Sequence, residues 1–300
     1  MLMLPLVGTF YQCSETASTP PANAQFVSAS TPEEINRFGD YWYTGEAELS
    51  TYAIEQERYG EIRSGEVVNI FVTEDFSQEK QVKLDDPASA GADKVTVLKL
   101  NQIKRFQTGI YDYSLMLSVF TPVSADRFPH TLKTTMSSQD WCGQSFSQIN
   151  HQRADRYRLR GYSYFESEGD IDQTLQSDLL EDELWNRIRI APERIPTGSL
   201  RVVPGNMFLR MRHVPERAET ASLTLSPATD GQRTLTLAYE SIDRNLAITF
   251  ETTSPHRILN WTETYDGQNR VTAHLKKTIR SPYWQQNARK FDFQRDTLGL

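Results

Sequence analysis

The chain has 300 residues, of which 38% are hydrophobic and 11% aromatic, and its formal net charge is −7. A chain of this length can bury a large core, and its aromatic content is too high for a disordered protein. The acidic balance gives no broad cationic surface for phosphates, so we expect no nucleic-acid partner. Two cysteines are too few for a disulfide scaffold. The five histidines are scattered along the chain, and no cysteine–histidine cluster has the spacing of zinc ligands. We predict neither a metal site nor a cofactor.

The N-terminal residues resemble the end of a bacterial lipoprotein signal peptide. An apolar run over residues 1–10, too short to span a bilayer, precedes Cys13, and a polar, proline-containing tether follows it. We therefore predict that Cys13 is acylated and that residues 1–30 attach the protein to a membrane. Two features depart from the pattern: no basic residue precedes the run, and Phe10-Tyr11-Gln12 replaces a small-residue cleavage box. The predicted location is the cell envelope, as an outer membrane lipoprotein or in the periplasm, and the alternative is the cytoplasm.

The first part of the body alternates with the period of β-strands. A short helix is predicted to start at Thr31-Pro32 and to stop at Gly39. Strands are then expected over residues 47–53, 67–73, 82–84, 95–100, 110–123 and 156–165.

A central helix interrupts the strands. Leu180, Leu184 and Ile188 recur at four-residue spacing with Trp185 beside them, so this face should pack on the sheet. Strands are predicted again over 200–203, 208–213, 221–225, 234–240, 246–252, 258–264 and 271–277, followed by a short helix from Ser281-Pro282. Asp230-Gly231 and Asp266-Gly267 are typical of hairpin turns.

The resulting fold prediction is a mainly β protein with a few helices. Local hairpins dominate and no parallel βαβ alternation occurs, which favours a curved antiparallel sheet or half-barrel with helices packed on its open side. Residues 31–300 form the β-rich body in this prediction, either as one unit or as two strand-rich lobes that meet near 175–195.

Several segments together resemble an uncharacterised set of proteins from the Bacteroidota. They are residues 41–48, 72–77, 106–111, 139–143 and 180–185, and the resemblance runs from about residue 38 to the C-terminus. Proteins of this set often carry the label "septum formation inhibitor Maf". The chain lacks the Pro-Arg-Arg phosphate-binding motif of Maf-type pyrophosphatases, and Ser254-Pro255-His256-Arg257 is the nearest match. The resemblance implies no catalytic residues. The architecture is also similar to the curved β-sheet carriers of lipoprotein sorting.

Cys142 is the candidate for nucleophilic catalysis. A lone thiol with His130 or His151 as base would support a cysteine-dependent enzyme. Lone cysteines are more often small buried hydrophobes, and Trp141 next to it suits a core position. We therefore predict that Cys142 is buried and structural, and we assign no catalytic residue.

Two further patterns carry weaker predictions. Residues 143–147, which contain Ser145 and Ser147, half-match a serine-hydrolase elbow that lacks its second glycine. Four carboxylates at alternate positions, from Glu166 to Asp172, would share one face of a strand, but a solvated hairpin tip near Gly169 is favoured over a calcium site.

The aromatic cluster Tyr41, Trp42 and Tyr43 is the predicted binding site, since it can line an apolar pocket or an interface, although core packing explains it equally well.

The sequence is compatible with two functions. The favoured one is a non-enzymatic envelope lipoprotein that binds an apolar ligand or a protein partner on a curved sheet. The alternative is an enzyme that uses Cys142.

Overall fold

The computed structural model describes residues 32–300, which form one open sheet of fifteen strands. Strands adjacent in the chain are adjacent in the sheet from β1 to β8 and from β9 to β15, and β1 pairs with β15. Every pair is antiparallel except β9 and β10, which are parallel. The prediction of a mainly β, antiparallel fold with a few short helices is confirmed.

The strands have the following bounds. They are β1 (Ala47–Arg58), β2 (Glu61–Ser77), β3 (Lys94–Thr108), β4 (Tyr111–Pro122), β5 (Lys133–Gln139), β6 (Gln144–Arg153), β7 (Arg156–Tyr162), β8 (Ile171–Gln176), β9 (Leu179–Leu180), β10 (Gly198–Val203), β11 (Glu219–Leu225), β12 (Gln232–Tyr239), β13 (Arg244–Glu251), β14 (Ile258–Tyr265) and β15 (Gln268–Ser281).

The helices are short. The α-helices are α1 (Pro32–Trp42), α2 (Leu184–Ile190), α3 (Asn206–Arg212) and α4 (Phe293–Leu298). Single 3-10 turns cover Gly91–Asp93, Glu181–Glu183, Pro192–Arg194, Tyr283–Gln285 and Arg289–Phe291. No helix among residues 32–300 has the length and apolar character needed to cross a membrane.

Helices α2 and α3 fill the concave face of the sheet. The predicted packing of this segment on the sheet is confirmed, because Leu180, Leu184, Trp185 and Ile188 are all buried. The predicted helical extent is too long, since Leu180 lies in β9 and the α-helix begins at Leu184. The Asn186 amide donates hydrogen bonds to the Leu98 and Val119 carbonyls, at 2.9 and 3.3 Å. These carbonyls belong to the neighbouring strands β3 and β4, whereas Trp185 contacts Trp261 of β14 with ring centroids 5.0 Å apart. Strands far apart in the sheet order therefore meet around α2, and this side of the sheet is a packed core rather than an empty ligand chamber.

Several chain connections lie at the same end of the sheet. They are the turns from β1 to β2, from β3 to β4 and from β5 to β6, the connection from β7 to β8, and the connection from β10 through α3 to β11. This end is called the hairpin end below. Large apolar side chains are exposed there, among them Tyr59, Ile110, Trp141, Tyr162 and Tyr164.

Several sequence-based boundaries are wrong. The predicted strand 208–213 is helix α3, because a short apolar run fits both periods and tertiary packing decides between them. Residues 82–84 contribute only an isolated bridge between Lys83 and Phe76. Helix α1 continues past Gly39 to Trp42, and strands β5, β6, β8 and β9 were not predicted.

The remaining expectations have mixed outcomes. Asp266 and Gly267 both have positive φ, 51° and 65°, and form the predicted tight turn between β14 and β15. A 3-10 turn begins at Tyr283, where a short helix was expected. Cys13 and the tether lie outside the described residues, so acylation stays a prediction.

Candidate functional site

The candidate site is a cavity of about 260 Å³ at the hairpin end. One wall is the inner face of β5 to β8, with Met136, Ser145, Ser147, Gly161 and Ile171. The opposite wall is α3 and the residues after it, with Asn206, Leu209, Arg210, His213 and Glu216. We call it the Ser145 cavity.

The local sequence explains why a cavity forms here. Side chains of a strand alternate between the two faces, and the inner positions of β6 and β7 at this point are Ser145, Ser147 and Gly161. Elsewhere the inner face carries large residues such as Leu115, Leu117 and Trp261. The small side chains of Ser145 and Ser147 opposite α3 leave volume that the helix does not fill, whereas Ile171 occupies the space beside Gly161.

A buried chain of polar groups forms the floor of the cavity. The Ser147 hydroxyl donates to Asn206 Oδ1 at 3.2 Å, and Asn206 Nδ2 donates to Asp182 Oδ2 at 2.5 Å. Burial raises the pKa of Asp182 to about 7, and the neighbouring Glu181 carboxylate acts in the same direction. These contacts fix the start of α3 against the sheet.

Ser145 is the unusual group on this floor. Its side chain is only 8% exposed, and its hydroxyl has no hydrogen-bond partner among the described residues. Buried hydroxyls are normally hydrogen-bonded, because leaving one without a partner costs roughly 1–3 kcal/mol. Because Ser145 also lines the cavity, a ligand bound there lies beside a polar atom whose hydrogen-bonding capacity is unused.

The mouth of the cavity is organised around Glu168. Its carboxylate accepts hydrogen bonds from the Ser163 hydroxyl at 2.5 Å and from Arg210. It also lies 2.6 Å from Nδ1 of the His213 ring. Burial alone would raise the pKa of Glu168, but these contacts outweigh it and hold the pKa below its usual range. Glu168 is thus an anchored, ionised group.

Glu216 is the second carboxylate of the cavity. Its side chain has no salt bridge to any described residue, in contrast to Glu168. Burial raises the pKa of Glu216, and the nearby Glu168 carboxylate acts in the same direction. The cavity therefore holds two carboxylates and one guanidinium.

The pair of His213 and Glu168 resembles part of a hydrolase triad, in which a carboxylate orients a histidine. A triad also needs a nucleophile in hydrogen-bond contact with the other ring nitrogen. Among the described residues no serine or cysteine makes that contact, and Ser145 has no base bonded to it. No three His, Cys, Asp or Glu side chains among these residues are arranged to hold a metal ion.

Cys142 is exposed, so the prediction that it is buried is wrong. The residues Asp140 to Gly143 form the turn between β5 and β6, and Asp140 Oδ1 accepts from the amides of Cys142 and Gly143 at 2.6 and 3.1 Å. Asp at the first and Gly at the fourth position are typical of a type I turn. That signal was present in the sequence.

His130 and His151 stack on each other with ring centroids 4.8 Å apart, at the opposite end of β6 from Cys142. His151 lies nine positions after Cys142 along a mostly extended segment, which corresponds to roughly 30 Å. The structure therefore does not bring the thiol and its proposed bases together. The Tyr157 hydroxyl lies 3.3 Å from His130 Nδ1, and burial together with His151 lowers the pKa of His130.

The predicted aromatic cluster is divided by the structure. Trp42 is buried in the core against Phe71, and the Tyr41 hydroxyl donates to Glu48 at 2.6 Å. Tyr43 is 57% exposed and lines a cavity of about 300 Å³ with Phe38 and Phe128. Binding by Tyr43 stays a prediction.

The alternating carboxylates also separate. Residues 163–170 are a connection rather than a strand, so Glu166 and Asp170 are exposed while Asp172 pairs with Arg158. Only Glu168 turns toward the cavity. Sequence reasoning missed it because its partners, Arg210 and His213, are more than forty positions away and lie in a segment predicted as strand.

Comparisons with known proteins assign no family to the chain. No protein-family model and no curated protein matches it. It is similar to the crystal structure of a beta-barrel-like protein of a domain of unknown function, DUF1849, from Brucella abortus, with a TM-score of 0.45 and 8% identity over 78% of this chain and 97% of that one. It is also similar to a "putative outer membrane lipoprotein-sorting protein domain" from Vibrio parahaemolyticus, with a TM-score of 0.19 and 9% identity over 89% of this chain and 97% of that one. The resemblance to the Bacteroidota set stays a prediction.

Proposed function

We propose that this chain is a non-enzymatic binding protein of the cell envelope that holds a small amphiphilic ligand in the Ser145 cavity. The observation that carries the proposal is the buried Ser145 hydroxyl, which has no partner within the described residues and lines a preformed cavity. Ligand sites are typically concave and largely preformed, with a few convergent polar groups among apolar ones.

The walls fit a ligand with both characters. Met136, Leu209 and Ile171 supply apolar contacts, while Ser145 and Asn206 supply hydrogen-bonding groups at the floor. The cavity volume is near the lower limit of common ligand sites, about 300 Å³, which favours a short molecule over a long lipid chain.

Calorimetric titration with three six-carbon probes, 1-hexanol, hexylammonium and hexanoate, tests the cavity. Binding of at least one probe to the wild type, and its loss in Ser145→Leu, is the expected result, because the larger side chain occupies the cavity. Ser137→Leu, on the adjacent strand but directed to the other face, is the matched control and should bind as the wild type does. Failure of all three probes to bind overturns the proposal.

The envelope location rests on the sequence around Cys13, with its apolar run before and polar tether after. Growth of the native organism with a fatty-acid probe should label the protein, and Cys13→Ser should abolish that label. An unlabelled protein in the soluble fraction would rule out attachment through an acylated Cys13.

A further inference from the structure

We infer that the ligand of the Ser145 cavity carries a cationic nitrogen, an ammonium group, that is recognised by Glu216. This inference rests on the proposed function and names the chemical class of its ligand. It follows from the charges on the cavity wall and from which of them are already paired.

The positive groups of the wall are committed to one carboxylate. Arg210 forms a salt bridge with Glu168, and the His213 ring lies against the same carboxylate. An anionic ligand would have to compete with Glu168 for both groups.

Glu216 has no such partner. It lines the same cavity as Glu168 and Arg210, but no cation of the described residues forms a salt bridge with it. A partly buried carboxylate without a counter-ion is stabilised by any cation that enters, because charge-assisted hydrogen bonds are stronger than neutral ones.

The cavity offers a second, independent anchor. The Ser145 hydroxyl is buried and unsatisfied within the described part of the chain, and it can accept or donate a hydrogen bond. Met136 and Leu209 cover the space with apolar surface. A short alkylamine, or a larger molecule that ends in one, matches this combination of negative wall, apolar lining and polar floor.

The same three probes decide the question. Hexylammonium should bind the wild type about tenfold or more tightly than 1-hexanol, since a charge-assisted bond to a carboxylate is worth at least that ratio. Glu216→Gln should remove this preference while leaving hexanol affinity unchanged. Glu166→Gln is the matched control: it lies on the exposed part of the adjoining connection, does not line the cavity, and should keep the preference.

Each contrary result has a distinct meaning. If hexanol binds the wild type as tightly as hexylammonium, or if hexanoate binds best, the ammonium inference is wrong while the proposed function stands. If Glu216→Gln retains the preference for hexylammonium, Glu216 is not the recognition group and the inference is also wrong. If no probe binds, the inference and the proposed function both fail.

Discussion

Arg189 of α2 and Glu48 of β1 form a bidentate ion pair inside the protein, with nitrogen–oxygen distances of 2.6 and 2.5 Å and both side chains almost fully buried. Burial alone would raise the pKa of Glu48, but Arg189 and the Tyr41 hydroxyl reverse this and keep it below its ordinary value. The pair ties the helix that fills the sheet to the first strand.

Replacement of one partner should therefore be costly. Arg189→Met leaves Glu48 buried without its cation, and we expect a loss of about 3–5 kcal/mol in the free energy of unfolding. Arg158→Met, which removes the exposed pair with Asp172, is the matched control and should cost less than about 1 kcal/mol. Urea unfolding measures both. A loss below 1 kcal/mol for Arg189→Met would show that the pair does not hold α2.

The apolar face of α2 gives a second stability prediction. Ile188 is completely buried, whereas Ile110 is 84% exposed at the hairpin end. Ile188→Ala should cost about 2–5 kcal/mol, because it removes buried methyl groups and leaves a void. Ile110→Ala makes the same chemical change on the surface and should stay within about 0.5 kcal/mol. Equal effects of the two variants would contradict the predicted packing of α2.

The predictability of the fold differs between its elements for a physical reason. The face of α2 was predicted because residues four apart on a helix must share one side, and that spacing is local in the sequence. Residues 208–213 were misassigned because Met207, Phe208, Leu209 and Met211 form a short apolar run that suits a buried strand or a buried helix equally. Their position opposite the small residues of β6 and β7 decides the matter, and it is not encoded locally.

Cys142 should react readily in the folded protein. Its thiol is exposed in the β5–β6 turn, so iodoacetamide should alkylate native and urea-unfolded protein at similar rates. The Cys13→Ser background removes the other thiol. Cys142→Ser and Cys142→Ala should both unfold within about 0.5 kcal/mol of the parent, as expected for a surface position. Strong protection of the native thiol, detected by mass spectrometry, would restore the buried interpretation.

The candidate site was less predictable than the fold. Cys142 could have been assigned to a turn from Asp140 and Gly143 alone, since that chemistry is local. The Ser145 cavity could not have been predicted, because it is a volume left between α3 and the small side chains of the facing strands. Glu216 could not have been identified either, because it differs from other carboxylates only in lacking a salt bridge within the described residues. Such properties depend on which distant elements meet.

Asp182 provides a prediction about pH. Burial raises its pKa to about 7, above its value of about 3.9 in the unfolded chain, so the folded state retains the proton more strongly. Its contribution to stability is complete below pH 4 and falls as the pH rises to 7, by about 1.4 kcal/mol per unit. The difference in unfolding free energy between the wild type and Asp182→Asn, which does not titrate, should decline across this range. Asp86→Asn controls for the loss of a surface carboxyl group. A pH-independent difference for Asp182→Asn would show that Asp182 is ionised throughout.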